Sequence, residues 1–436
     1  MNKEAINTLS LSEIENDLTQ NIQWTVRSRI WMGTLLFAFA ICLYFYVQQL
    51  IYGLGVTGLH DYASWGIYIS NFVFFVATSL VGMLISSVFG LANVKWIKPI
   101  ARIAEIIAVS FAMVAGLVII TDMGRPDRLL SIFVYGRVQS PIVWDIAVVT
   151  TYVFISLLLL YVPLIPDFAM ISEKKKGLPK LQIKIYKALS LGWADKPEQF
   201  KVIKRLIQTL LVIIIPVALA IHTVTSWLFA LTLRPGWDSS IFGPYFVSGA
   251  FVAGSAALIM ALYFYRRHYH LENYITEEHF NSMGKILVLV SLIYLYFNLN
   301  EILVPGFKPG TAAGAHINEL LSGTESTLYW AVQIFGLAIP LILLLIPRMR
   351  KPFPVTVLSL MVFVGAWFKR YLIVVPSQLE PYLPIQNVPE SFHHYSPTTA
   401  EVAITAGSFI LVLIIMTVLS KVIPLIPIWE VKEELK

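Results

Sequence analysis

The chain of 436 residues predicts an all-α, polytopic membrane protein with about ten transmembrane helices. Three observations carry that reading. Apolar residues make up 57% and charged residues only 13%, whereas a soluble domain sits nearer half and a quarter. The excess is gathered into runs of about twenty residues, the length that crosses a hydrocarbon core. The intervening segments sort by charge into two classes, as loops on opposite sides of a bilayer do.

The first run, 31–52, follows a polar segment of mixed charge, 1–29. That segment lacks the short apolar core and cleavage site of a signal peptide. The run holds the only cysteine, Cys42, read as a small buried apolar residue. The second run, 66–90, places Gly82, Ser86 and Gly90 four apart, a face that lets helices approach closely in lipid. The third, 99–121, opens with Arg102 and Glu105 at i, i+3, an expected ion pair. The stretch 121–145, which leads into the fourth run, 142–165, holds three acids (Asp122, Asp127, Asp145) and three arginines (Arg125, Arg128, Arg137). Charges at the mouth of a membrane protein are costly unless paired or used.

The fifth run, 206–230, carries His222 roughly 12 Å inside its end, at about 1.5 Å per residue. The sixth, 243–265, has Ala253, Ala257 and Ala261 four apart. The seventh, 284–304, ends in Asn298, Asn300 and Glu301, and the eighth, 327–346, begins with Tyr329 and Gln333. The ninth, 353–375, holds Lys369 and Arg370 about two turns from its end, where either could pair with Glu301. The tenth is 399–423. Spans two to five and six to nine then form two four-helix bundles with flanking helices. The chain divides into an N-terminal segment 1–29, a first helix group 30–230, a second group 231–426 and a tail 427–436.

Most of the 32 lysines and arginines fall in the termini and in the loops on their side. The opposite loops hold Arg125, Arg128, Arg137, Arg234 and Lys308. This places both termini in the cytoplasm and the protein in a bacterial-type cytoplasmic membrane. The loop 167–205, with E-K-K-K-G and L-Q-I-K-I-Y-K-A-L, reads as a basic amphipathic helix on the inner leaflet or a plain orientation signal. The net charge of +6 belongs to that bilayer surface and does not indicate nucleic acid.

A quinol site needs an apolar slot, a histidine or acid for each hydroxyl proton, and a nearby electron acceptor. On the outer side, spans two to five each bring a polar group: Asn71, Asp122, Asp145 and His222, with His60 and Asp61 in the loop ahead of span two. These residues also have plainer uses. His222 can be a bonded core histidine, Asp122 a helix cap or partner of Arg125, and Asp145 an acid favoured at a helix start. Asn71 can be interhelical glue. In the second bundle Glu301, Lys369 and Arg370 form either a structural ion pair or a proton path, and Arg102 and Glu105 line the cytoplasmic end of such a path. Of eight histidines only His222 lies in a span; His60, His268, His270, His279, His316, His393 and His394 fall in loops. A b-type haem, an iron–sulfur cluster and a metal site in this chain are therefore not expected. No phosphate loop or C-x-x-C spacing is present.

W-G-I-Y-I-S-N-F-V-F-F, D-M-G-R-P, S-P-I-V-W-D, L-I-P-D-F-A, L-G-W, H-T-V-T-S-W, P-G-W-D-S-S-I-F-G-P-Y-F-V-S-G-A, K-R-Y-L-I-V-V-P and P-L-I-P-I-W-E occur in this order. On these stretches the chain resembles the NrfD-like membrane subunits of the polysulfide reductase family, in particular the ten-helix membrane subunits of alternative complex III. The resemblance implies a quinol or menaquinol pocket on the outer side of the first bundle. It implies a ferredoxin-like iron–sulfur subunit above it, a multihaem cytochrome c subunit nearby, a paralogous NrfD-like membrane subunit, and proton paths in the bundles. Asn71, Asp122, Arg125, Asp145 and His222 are the positions it carries over. Two residues depart from the pattern: Leu228 stands where an acid is expected, and Asp238 where P-G-W is followed by His. Asp238 then either replaces a proton acceptor or marks a paralogous subunit that translocates protons or scaffolds without a quinone. An independent secondary transporter is the remaining reading, weakened because no span is split by Pro or Gly into half-helices.

Overall fold

The computed structural model describes residues 11–174, 178–380 and 387–434. Ten helices are long and apolar enough to cross a bilayer, and no strand occurs among the described residues. They are α1 (Val26–Tyr52), α2 (Ile67–Leu91), α3 (Lys98–Thr121), α4 (Pro141–Tyr161) and α5 (Pro197–Ala230). The second half adds α6 (Phe242–His268), α7 (Glu277–Gly306), α8 (Ser326–Leu345), α9 (Pro352–Val374) and α10 (Thr399–Val422).

The helices form two rings. α2 packs on α3, α3 on α4, α4 on α5, and α5 returns to α2. α6 to α9 close a second ring in the same way, and α2 against α6 joins the two. α1 and α10 pair with each other and lean on the first ring, α10 touching α3 and α2. Burial follows this plan. In α2, 89% of the apolar window is buried, against 6% in α1, so α2 is the hub and α1 turns Phe37, Tyr44 and Ile51 outward.

Small residues set the close approaches. A Cβ on Gly82 of α2 would strike the carbonyl of Ala104 on α3, and one on Gly254 of α6 would strike Val81 of α2. A larger residue at either place pushes the hub away from its neighbour. Ser86 is buried against Glu105 of α3, and Ala253 of α6 is buried as well.

Several boundaries differ from the sequence expectation. α5 starts at Pro197 and α7 at Glu277, because polar first turns extend the helices beyond the apolar layer. His268 closes α6, His279 lies in the first turn of α7, and His316 sits in a helix at Ala312–Ser322. These three are thus helical rather than loop residues. α8 contains a π-turn at Ile334–Ala338, and α5 runs through Pro216 unbroken. The first and last described helices are docked: Ile14 and Leu18 of the helix Leu11–Thr19 are buried, as are Ile428 and Val431 of the helix after α10. In the long loop, the helix Lys180–Leu189 exposes Leu181 and Ile185 beside Lys184, the form of an interfacial helix. Lys175, Lys176 and Gly177 of the basic run lie outside the described residues.

Candidate functional site

The polar residues opposite the termini do not share one recess. Their side chains enter three different seams. Asp145, near the start of α4, is buried and accepts from Thr225 Oγ1 of α5 at 2.6 Å. His222 lies one turn before Thr225 on the same helix. It is also buried, its Nδ1 is 3.3 Å from the Ala218 carbonyl, and its Nε2 has no hydrogen-bond partner among the described residues. Arg370 of α9 lies within electrostatic range of His222, across α6. The guanidinium sits 4.9 Å from the Phe246 ring, with Nε and Nη1 unpartnered among the described residues. The end of this seam opposite the termini is closed by aromatic rings, Phe229 against Trp237 at 5.0 Å and Trp65 against Trp237 at 5.8 Å.

Asn71 points elsewhere. Its Oδ1 accepts from Trp367 Nε1 of α9 at 2.7 Å, and its Nδ2 donates to Thr405 Oγ1 of α10 at 2.8 Å. Both ends are used, so Asn71 ties the hub to the second ring and the flanking pair.

Asp122 caps α3 on a third seam, toward α1 and α10. Its Oδ1 is buried without a partner among the described residues. Burial, and then the Glu401 carboxylate of α10, push its pKa up to about 7. Glu401 itself is fully buried and accepts from Gly58 N at 2.7 Å and Tyr395 OH at 2.6 Å. Tyr68 of α2 completes this corner through Gln49 of α1, at 2.6 Å.

The loop residues lie apart from these seams. Arg125 pairs with Asp127 at 2.8 Å and not with Asp122, both side chains being well exposed. Its own turn supplies the nearest carboxylate. His60 stacks on Phe392 at 4.7 Å and approaches the His394 carbonyl. Asp61 and Asp238 are exposed.

The second ring is different in kind. Lys369 Nζ of α9 meets Glu301 Oε2 of α7 at 2.9 Å and lies over the rings of Tyr245 and Tyr329. Tyr245 stacks on Tyr294 at 5.2 Å and bonds Asn298 at 3.2 Å, and Asn298 bonds Gln333 at 2.5 Å. Of the two bases expected near Glu301, Lys369 is the one that binds it. Beside this network a space of about 20 Å³, room for about one water, is lined by Gly249, Tyr294, Gln333, Lys369 and Arg370.

At the face of the termini, Arg102 does not pair with Glu105. Its Nη1 reaches Asp167 at 2.5 Å, and Asp167 also accepts from Trp429 N. Glu105 accepts instead from Ser86 at 2.7 Å. A fully buried acid on a neighbouring element serves the guanidinium better than one on its own helix. Arg102, Glu105 and Glu430 line a space of about 470 Å³, and burial pushes Glu430 up to about 7.

Sequence reasoning passed over Thr225, Trp367, Gln49 and Glu401. Only Glu401 had a local signal, the capping box Thr398-x-x-Glu401 at the start of α10. The others are recognised by what they touch on distant helices.

A family profile described as "Polysulphide reductase, NrfD" matches residues 55–381. A protein of Halobacterium salinarum, named as a putative membrane subunit of dimethyl sulfoxide reductase, is 28% identical over 74% of this chain and 71% of its own. A protein of Mesobacillus selenatarsenatis, named as a subunit of selenate reductase, is 25% identical over 88% and 90%. The Hdr-like menaquinol oxidoreductase integral membrane subunit of Archaeoglobus fulgidus is 23% identical over 92% and 94%. The chain belongs to the NrfD family, and it is a multi-pass membrane protein.

Proposed function

We propose that this member of the NrfD family is the membrane subunit of a respiratory quinol:electron-acceptor oxidoreductase. It binds menaquinol or a similar quinol near the face opposite the termini. The observation that carries this is the Nε2 of His222, buried and unpartnered. A polar atom left so is costly, and a hydroxyl from a ligand would satisfy it. Relatives named as a putative membrane subunit of dimethyl sulfoxide reductase, a subunit of selenate reductase and an integral membrane subunit of a menaquinol oxidoreductase support the same reading.

A bound quinol supplies two electrons and two protons. His222 Nε2 accepts the first hydroxyl proton. Asp145, held by Thr225, orients the ring from α4. Asp122 lies in a separate seam and does not touch that ring; with its raised pKa it passes on protons released from the site, at the rim of the membrane. Asn71 fixes the seam and acts as a positioning residue. His60, Asp61, Arg125 and Asp238 then belong to the mouth, where a ferredoxin-like iron–sulfur subunit, a multihaem cytochrome c subunit and a paralogous membrane subunit dock. Arg370 and the Glu301–Lys369 pair, with Arg102 and Glu105 below, form the proton path. Both termini lie in the cytoplasm.

A second reading is favoured by one observation, the connected network of the second ring. It suits a proton-translocating or scaffolding subunit that lacks a quinone.

The test is quinol-dependent reduction of the electron acceptor by the purified complex carrying His222→Phe. The rate is expected to fall by roughly 10²–10⁴-fold with assembly intact. Full activity in this variant overturns the proposal.

A further inference from the structure

Where α1, α6 and α10 meet at the face of the termini, a cleft of about 630 Å³ runs into the protein. Its walls are apolar, with Met260 and Phe264 of α6 facing Leu413 and Met416 of α10. Its floor is formed by Phe111, Phe363 and Phe409. These belong to a central aromatic cluster in which Phe75 and Phe409 are 4.9 Å apart.

The rim has the opposite character. Arg27, His268 and Lys421 line it, and no acidic side chain is among the described residues that do. Arg27 is exposed. Lys421 Nζ donates to the carbonyls of Asn21 at 2.8 Å and Gln23 at 3.1 Å, which occupies two of its three protons. Trp31 stands at the entrance, its Nε1 donating to Thr417 at 3.2 Å, as amphipathic rings do at a membrane interface.

We propose that this cleft is a binding site for one anionic phospholipid. An acyl chain fills the apolar slot down to the phenylalanine floor. The phosphate rests among Arg27, His268 and the remaining proton of Lys421. Any apolar slot in a bilayer attracts hydrocarbon. The cationic rim without a counter-acid selects the anionic headgroup, as basic pockets between transmembrane helices do. Bound there, the lipid bridges the flanking pair to the second ring on the side away from the candidate quinol site.

The test uses the purified complex in mixed micelles with equal phosphatidylglycerol and phosphatidylethanolamine, followed by washing and lipid mass spectrometry. The wild type retains about one phosphatidylglycerol per chain, enriched over phosphatidylethanolamine. Arg27→Gln lowers that enrichment roughly fivefold, the effect of one basic residue near an anionic surface. Ala261→Phe fills the slot and removes both lipids. Should the latter fail to fold, the Arg27→Gln comparison stands alone. Equal retention of the two lipids by the wild type overturns the proposal. So does enrichment unchanged in Arg27→Gln, or an isoprenoid quinone recovered in place of phospholipid and lost in Ala261→Phe.

Discussion

The two four-helix rings solve the same problem in opposite ways. Each carries ionisable groups into a medium where an unmet polar atom is expensive. In the second ring Glu301, Lys369, Tyr245, Asn298 and Gln333 satisfy one another across α6 to α9. In the first ring three ionisable groups on the face opposite the termini stand singly: Asp145 has Thr225, His222 has only its own helix on one side, and Asp122 leaves an oxygen unmet among the described residues. The second ring also leaves buried atoms unmet among the described residues: Arg370 Nε and Nη1, within electrostatic range of His222, and His279 Nε2 at the start of α7. A closed network holds helices together or conducts protons within itself. An unmet buried atom calls for a partner from outside the chain.

The contrast can be broken most forcefully in the second ring. Glu301→Gln leaves Lys369 buried without its counter-charge and is expected to cost about 3–5 kcal/mol. Thermal unfolding of the complex in detergent reads this out, and Glu301→Gln with Lys369→Met should recover most of the loss. If the single variant is as stable as the wild type, the network is not what holds that ring.

Asp122 gives a smaller effect that pH isolates. Because its pKa is raised to about 7, it is a proton acceptor only above that pH. Quinol oxidation should fall by up to about tenfold per pH unit below it. Asp122→Asn should lower the plateau and flatten this limb. The sign for stability is the reverse: the folded state holds the proton more tightly than the unfolded chain, so this carboxyl lowers stability as pH rises from about 4 to 7. A pH profile unchanged by Asp122→Asn would remove it from the proton path.

The smallest effect tests a seam rather than a ring. Trp367→Phe removes the donor to Asn71 and should cost about 0.6 kcal/mol, the usual worth of a polar contact between membrane helices. A loss of activity far beyond that would return Asn71 to the ligand.

The spans were legible because each is an apolar run of the length a bilayer demands. The two rings were legible only as a faint spacing of small residues, Gly82 and Ala253, of which the structure sets Gly82 against α3 and buries Ala253. The pairings were not. Periodicity says which residues share a helix face, not which helix that face meets. Arg102 finds Asp167 at a separation of 65 positions, and Asn71 finds Trp367 at 296. The expected single recess failed for this reason: depth along each helix was readable, and rotation about its axis was not.

The central claim is that the unmet nitrogen of His222 marks the quinol, and the network around Glu301 does not. Extracting and quantifying menaquinone from purified complexes tests it directly. Near-stoichiometric quinone is expected in the wild type and in Glu301→Gln, and its loss in His222→Phe. Quinone retained by His222→Phe and lost from Glu301→Gln would contradict it.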